Sequence, residues 1–504
     1  MELSLGDANC TSYSLCAVMC LPIQRSLLQA IVVALALSAL GACEAPAQDG
    51  EGTNYADKRD TVYDSVVVPM VRYDPATFSI DTIKGIPEGV LIIEGVWSRD
   101  SSRLVLGCMR GAYILDADSD SCRSMEGIPQ DAAVRLYPFR SGRTLVAVSR
   151  GSAGPVALVL DEDASGGLRV PELDDEVVTV ERSPSGTAML VIAKSSVYWV
   201  RDNATAERVA YPNSFFKTFH RKFGWNRDGS VLLIGTAHQG IFRFDQRTLH
   251  IEHIPSSAPS SISKMVVSSD QDEVYIGVLQ TDWMSPDIKS GFLRYDFVTD
   301  VLEPVPVGPA GSVLAIARMD SGYLLVAGSD ALYRYSETRG QAEVVPGSRG
   351  LDMTDVIPLP GDRALVSEWM KGMYKYDRAD GVLRAITSIP AGYVTVSPVD
   401  SESAYLGGNG AALRYDASQG TAHPMPGAGE SGSLATVSPD GRHLFAMYWK
   451  AGLYQHDLRA ADWNARPAIT GHGWPVNYFW ERGGRTVLVS FYPWNPKPGA
   501  RSSR

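Results

Sequence analysis

Cysteine is scarce where a fold would need it. Of six cysteines, Cys10, Cys16, Cys20 and Cys43 fall within the first 43 residues, leaving only Cys108 and Cys122 for the remaining chain. Disulfides are therefore not its main staple. Basic charge is also in deficit: 46 Lys and Arg against 57 Asp and Glu give a formal net charge of −11. That balance excludes nucleic acid as the main partner, because phosphate binding needs a basic footprint. Long amphipathic helical periods are missing, which argues against a helical protein. Catalytic signatures are missing too: no GxSxG, HExxH, P-loop or CxxCH occurs, and the eight histidines are scattered. No cofactor is implied.

Plentiful instead are glycine (47), proline (30) and tyrosine (22), in a chain that is 45% hydrophobic and 20% charged. This composition favours many short strands joined by turns, an all-β class. The longest apolar run, Leu27 to Leu40 (LLQAIVVALALSAL), is too short for a comfortable membrane span and suits the apolar core of an export signal, with Arg25 as its positive flank. Residues 1–18 carry Glu2 and Asp7 and no base, so Met19 is a candidate true start. Glu44 to Asp60 (EAPAQDGEGTNYADKRD) is polar, rich in small residues and without periodicity, which reads as a tether.

Leu40-Gly41-Ala42-Cys43 closes the apolar run and resembles the lipobox of bacterial lipoproteins. The resemblance implies acylation of the Cys43 thiol, cleavage before it, and anchoring by more than one acyl chain. Glu44 after the cysteine implies, by resemblance to enterobacterial sorting, an outer-membrane lipoprotein facing the periplasm or the surface. The alternative is an ordinary secretory signal with an incidental Cys.

From residue 66 onward a short alternating strand recurs, ending in an aromatic or aliphatic residue plus Asp. It appears as VRYD (71–74), YILD (113–116), LVLD (158–161), YWVRD (198–202), FRFD (242–245), LRYD (293–296), YRYS (333–336), YKYD (374–377), LRYD (413–416) and YQHD (454–457). The spacing averages about 43 residues. Between these marks sit polar turns such as SPSGT (183–187), NRDGS (226–230) and SPDGR (438–442), each followed by a β-rich run. Glycine supplies the positive φ of such hairpins and Asp binds its own turn amides. The unit reads as strands A, B, C and D, which is one propeller blade. It resembles the Tyr-Val-Thr-Asn (YVTN), TolB-like and WD40-like propeller repeats, a resemblance that implies architecture alone.

Residues 474–494 form an A–B pair lacking its C and D strands, whereas 66–74 and 77–85 form a pair lacking A and B. Joined, they make a composite blade and remove two exposed edges. The expected plan is a β-propeller of about ten four-stranded repeats. The expected domains are 1–42 as export signal, 43–65 as lipidated cysteine and tether, 66–494 as propeller and 495–504 as a disordered tail. Within that plan Cys108 ends a strand B and Cys122 begins a strand D across strand C, so the two are expected to stay free thiols.

Three groups of residues are candidates for function. Asp116, Asp118 and Asp120 alternate like the start of a calcium loop, but Ser121 and Gly127 replace the Gly and Glu such a loop needs. The simpler reading is a solvated C–D turn. The B–C loops carry Trp283, Trp369 with Lys371, Trp449 with Lys450, and His238, while Trp494 follows the last strand B. A Trp there stacks on a sugar or apolar side chain and a Lys holds an anionic group; the alternative is that each Trp packs between blades. A third recurrence is a base two residues before the terminal Asp: Arg72, Arg243, Arg294, Arg334, Lys375 and Arg414. Each is expected to pair with a carboxylate on the adjacent blade; a ladder for an anionic polymer is the alternative.

These readings point to a non-enzymatic binding or assembly scaffold for protein or glycan partners at the cell envelope, held to the membrane by its lipid. The competing reading is a propeller enzyme, either a polysaccharide lyase or hydrolase or a lactonase-like hydrolase. A sensor ectodomain is disfavoured because no membrane-spanning run follows the repeats.

Overall fold

The computed structural model describes residues 70–492, except 89, 118, 120, 150–153, 162, 165, 216–219, 258–259, 280–290, 307, 310, 369–370, 391–392, 401, 409–411, 426–431, 449–451, 461–464, 470–473 and 482–485. Ten four-stranded antiparallel sheets make up a β-propeller. Blades 1 to 9 run in chain order over 92–124, 134–169, 177–208, 220–253, 261–304, 313–344, 353–385, 393–424 and 432–469. Blade 10 takes its A and B strands from Trp474–Trp480 and Val487–Tyr492, and its C and D strands from Met70–Tyr73 and Ile80–Thr82. The composite blade expected from the two orphan pairs is therefore present, and the last B strand pairs antiparallel with the first C strand (Met70 with Ser490, Tyr73 with Val487).

The repeating marks have a physical cause. Strand C ends on Asp because its carboxylate accepts the amides of the following turn. Asp245 binds the N–H groups of Arg247 and Thr248 at 2.9 and 3.1 Å, and Asp296 those of Val298 and Thr299 at 2.7 and 3.0 Å. The A–B turns use a Ser-x-Asp version of the same device. In blade 9 Asp440 accepts from Ser438 and from Arg442 N–H (2.6 and 3.0 Å), Ser438 Oγ accepts His443 N–H (2.9 Å), and Gly441 turns at φ +67°.

Strands B and C carry the core. Leu232, Leu233 and Ile234 in blade 4 and Leu324, Leu325 and Val326 in blade 6 are fully buried. Alternate side chains serve opposite neighbours, so the apolar clusters span pairs of blades: Trp199 of blade 3 stacks on Phe244 of blade 4 with centroids 5.5 Å apart. The A strands of neighbouring blades meet one another, which makes A the inner strand. Nine of the ten A strands carry a register shift near their start, after the first paired residue in seven (as between Ile92 and Glu94 or Met353 and Asp355) and after the second in blades 5 and 10; blade 2 alone is regular there.

Two contacts clasp the ring at blade 10. Tyr73, fully buried, donates to Gln455 Oε1 of blade 9 at 2.7 Å, and Gln455 Nε2 lies 3.0 Å from His443 Nδ1. On the other side Arg72 pairs with Glu481 (2.8 Å) and donates to the carbonyls of Ala117 and Ser119 in blade 1 at 3.1 and 3.4 Å. Cys108 and Cys122 are buried free thiols in one apolar cluster, with Cys122 paired across from Leu115.

Candidate binding face

Strand polarity is common to all blades, so the B–C loops and the D-to-A connections share one face, and the A–B and C–D turns share the other. On the first face loop length varies widely: three residues in blade 1 (109–111) but twelve in blade 5 (280–291). Met70 opens strand C of blade 10 on this face and Tyr492 closes its strand B there.

Of the residues assigned to this face from sequence, Trp283, Trp369, Trp449, Lys450 and Trp494 lie outside the described residues. His238 is exposed in the B–C loop of blade 4. Lys371 is exposed in the B–C loop of blade 7, and its Nζ lies 2.8 Å from Glu368 Oε1. Glu368 is almost wholly buried at the end of strand B and also accepts from Tyr374 OH at 2.7 Å. Burial pushes the Glu368 carboxyl up, but Lys371, Tyr374 and the Asp352 amide outweigh it and hold it below its ordinary range. Burial and Glu368 push the Tyr374 phenol up to about 12.

Tyr374 has counterparts that the sequence reading did not single out. At the same strand C position, Tyr333 OH donates to Asp330 (2.6 Å), Tyr113 OH to Gln130 (2.9 Å) and Tyr198 OH to Asp174 (3.4 Å). A tyrosine three residues before the strand C terminus was the available signal. These pairs fill one repeated slot and fix the loops on which the face is built. Asp174, Asp175 and Glu176 are likewise engaged, Glu176 by Lys194 (2.7 Å) and Asp175 by the Ser195 amide and hydroxyl (2.6 and 2.7 Å).

The inner strands hold two carboxyls displaced by burial. Glu94 accepts the Leu136 amide of blade 2 at 2.5 Å, and burial raises its pKa despite that bond and nearby Arg135. Burial lifts Glu181 to about 7, with the Trp225 indole N–H of blade 4 and Arg182 pulling the other way. Among the described residues no three His, Cys, Asp or Glu side chains gather as a metal-holding group. In the acidic turn Asp118 and Asp120 are outside the described residues. Asp116 pairs with Arg103 at 3.0 Å, while the carbonyls of Ala117 and Ser119 are taken by Arg72.

The bases of strand C correct one expectation. Arg243, Arg294 and Arg334 pair with Glu252 (3.0 Å), Glu303 and Glu343 (2.7 Å), each on strand D of the same blade. The register puts each pair directly opposite, where side chains meet without crossing between blades. Arg243 alone of these three also reaches an acid on the next blade, Asp300, at 3.7 Å.

No protein-family profile matches the chain, and no curated protein sequence matches it. Solved structures do. One is the extracellular domain of a one-component system of B. thetaiotaomicron: 12% identity, TM-score 0.28, covering 85% of this chain and 70% of that one. The computationally designed Ika8 protein matches at 10% identity and TM-score 0.39, over 71% and 96%. Virginiamycin B lyase from Staphylococcus aureus matches at 12% identity and TM-score 0.33, over 54% and 89%. Among the described residues no helix is long and apolar enough to cross a membrane.

Proposed function

We propose that this chain is an envelope lipoprotein, acylated at Cys43, that serves as a non-enzymatic binding or assembly scaffold and receives a protein or glycan partner on its B–C loop face. The supporting observation is the contrast between the two faces. A–B turns are three to six residues long, whereas B–C loops vary from three to twelve residues on a constant frame. Variation on a rigid frame is where specificity is placed. The sequence assigns Trp283, Trp369, Trp449 and Trp494 to that side, and a few such anchors dominate interface energy.

The test is crosslinking and pull-down from intact envelopes, followed by binding to the purified partner. Trp369→Ala and Trp449→Ala, singly, are expected to weaken binding by about 1–3 kcal/mol with an unchanged melting temperature. Arg442→Ala, in an A–B turn, is expected to leave binding alone. If both Trp variants unfold while the folded fraction still binds normally, the tryptophans are inter-blade packing and the reading fails. Fatty-acid labelling that is equal in wild type and Cys43→Ala would remove the anchor from it.

A further inference from the structure

The ion pairs of strands C and D have an exception in blade 7. In blades 4, 5 and 6 the strand C base faces a glutamate on strand D, and the residue opening strand B on the same sheet face is Val231, Glu273 or Tyr323. Blade 7 places Arg384 opposite Lys375, and Arg363 opens strand B diagonally beside them. Three bases thus cross three strands on one face. Like charges directly opposite destabilise a sheet.

Two carboxylates share this face, Asp377 directly across from Arg363 and Asp380 in the following turn. Asp380 pairs with Arg384, and Asp377 Oδ1 accepts the Ala379 amide at 2.8 Å. The Lys375 side chain makes no hydrogen bond or ion pair among the described residues, although it is half-buried. Its ammonium is directed against Gly420 of blade 8, at a position where a Cβ would collide with it. Between blades 7 and 8 the three bases line a pocket of about 80 Å³ together with Asp377, Asp380, Leu359, Tyr415 and Ser418. Three bases against two carboxylates leave the lining one positive charge in excess, whereas the chain as a whole carries −11.

We infer that the pocket between blades 7 and 8 binds an oxyanion, a phosphate or carboxylate group, with Lys375 as its charge partner and Arg363 and Arg384 as guanidinium donors. Guanidinium forks match both groups in bidentate fashion, and the ammonium adds a compact charge. The anion supplies Lys375 with the counter-charge that Asp380 gives Arg384. The pocket lies on the face of the A–B and C–D turns, so the inference does not rest on the reading of the B–C face.

Binding is measured by titration calorimetry on the full chain with inorganic phosphate, glucuronate and neutral glucose, ionic strength being held constant with chloride. At least one anion is expected to bind saturably and glucose not at all. Saturation by phosphate assigns a phosphoryl group or free phosphate, and by glucuronate a sugar carboxylate. Lys375→Gln and Arg384→Gln are each expected to weaken binding by about 10-fold or more. Arg334→Gln, in blade 6 and outside the pocket lining, is expected to change nothing. Lys375→Glu is expected to abolish binding and to raise the melting temperature in chloride, because it ends the like-charge opposition. Saturation by neither anion below about 10 mM, undiminished binding by Lys375→Gln, or a lowered melting temperature for Lys375→Glu would each overturn the inference.

Discussion

At the scale of single residues, two kinds of carboxyl act on stability in opposite directions. Asp245, Asp296 and Asp416 are lightly buried, which alone would raise them, yet the turn amides and hydroxyls they accept hold them below the ordinary aspartate value. A lowered acid contributes stability that is complete above its unfolded value of 3.8 and lost as pH falls through the folded one. Glu181 is the reverse. Raised from 4.5 to about 7, it favours the folded state when protonated, so stability declines as pH rises between those values and levels off above 7. Melting temperature should therefore fall steeply below about pH 4 and decline gently from pH 5 to 7. Glu181→Gln should flatten only the second limb, by on the order of 1 kcal/mol. An unaltered slope between pH 5 and 7 in that variant would show that Glu181 does not titrate there. The turn aspartates were legible in sequence, because each stands at a fixed place before a turn. Glu181 was not, since its shift comes from burial in the folded chain, which no local pattern shows.

Within the elements, the strand C marks located the repeats well: VRYD at 71–74 became the C strand of the composite blade, and 77–85 its partner. Two features escaped. The shift near the start of nine inner strands inserts one residue into an alternating pattern, and an alternation broken once looks like a strand boundary. The clasp of Tyr73 on Gln455 joins residues 382 apart, beyond any local pattern. The pairing of strand C bases was also misjudged, because the neighbour on strand D lies closer than the next blade and was not weighed. Tyr73→Phe should cost about 1–2 kcal/mol, since it leaves the buried Gln455 amide oxygen without its donor. Gln455→Leu with Tyr73→Phe together should cost less than the sum of the two singles. Additive losses in a double-mutant cycle would deny the clasp. Cys108 and Cys122 should both titrate as thiols after unfolding without reductant, and neither in the folded protein, where burial pushes Cys108 up and Cys122 to about 12. A single disulfide in the unfolded, unreduced chain would contradict the strand assignment of blade 1.

The molecule as a whole follows from repetition. Each blade buries one sheet face against the blade before it and the other against the blade after, so stability accumulates only when the ring is complete. Removing residues from Trp474 onward would deprive Met70–Tyr73 of its B-strand partner, expose the flank of blade 9 and abolish the Arg72–Glu481 pair. Such a truncation should aggregate or be proteolysed, and a soluble product with one cooperative melt would refute the role of blade 10 in closure.

The composite blade also decides how the ring would respond to a pull. Strand C of blade 10 is held on both long edges, by Val487–Tyr492 and by Ile80–Thr82. Tension applied to the chain before Met70 runs along that strand, so it loads the flanking hydrogen bonds together in shear instead of peeling them one by one. Rupture under load is set by the unfolding rate, which rises only when several bonds fail at once. Had the chain begun with an outer D strand, the same tug would unzip the ring from its rim. In single-molecule extension, a handle at the N-terminal segment should meet a higher rupture force than one inserted in the turn at Asp74–Thr77, where the outer strand can be stripped away first. Entering the ring one strand in from its outer edge turns a seam into a mechanical splice.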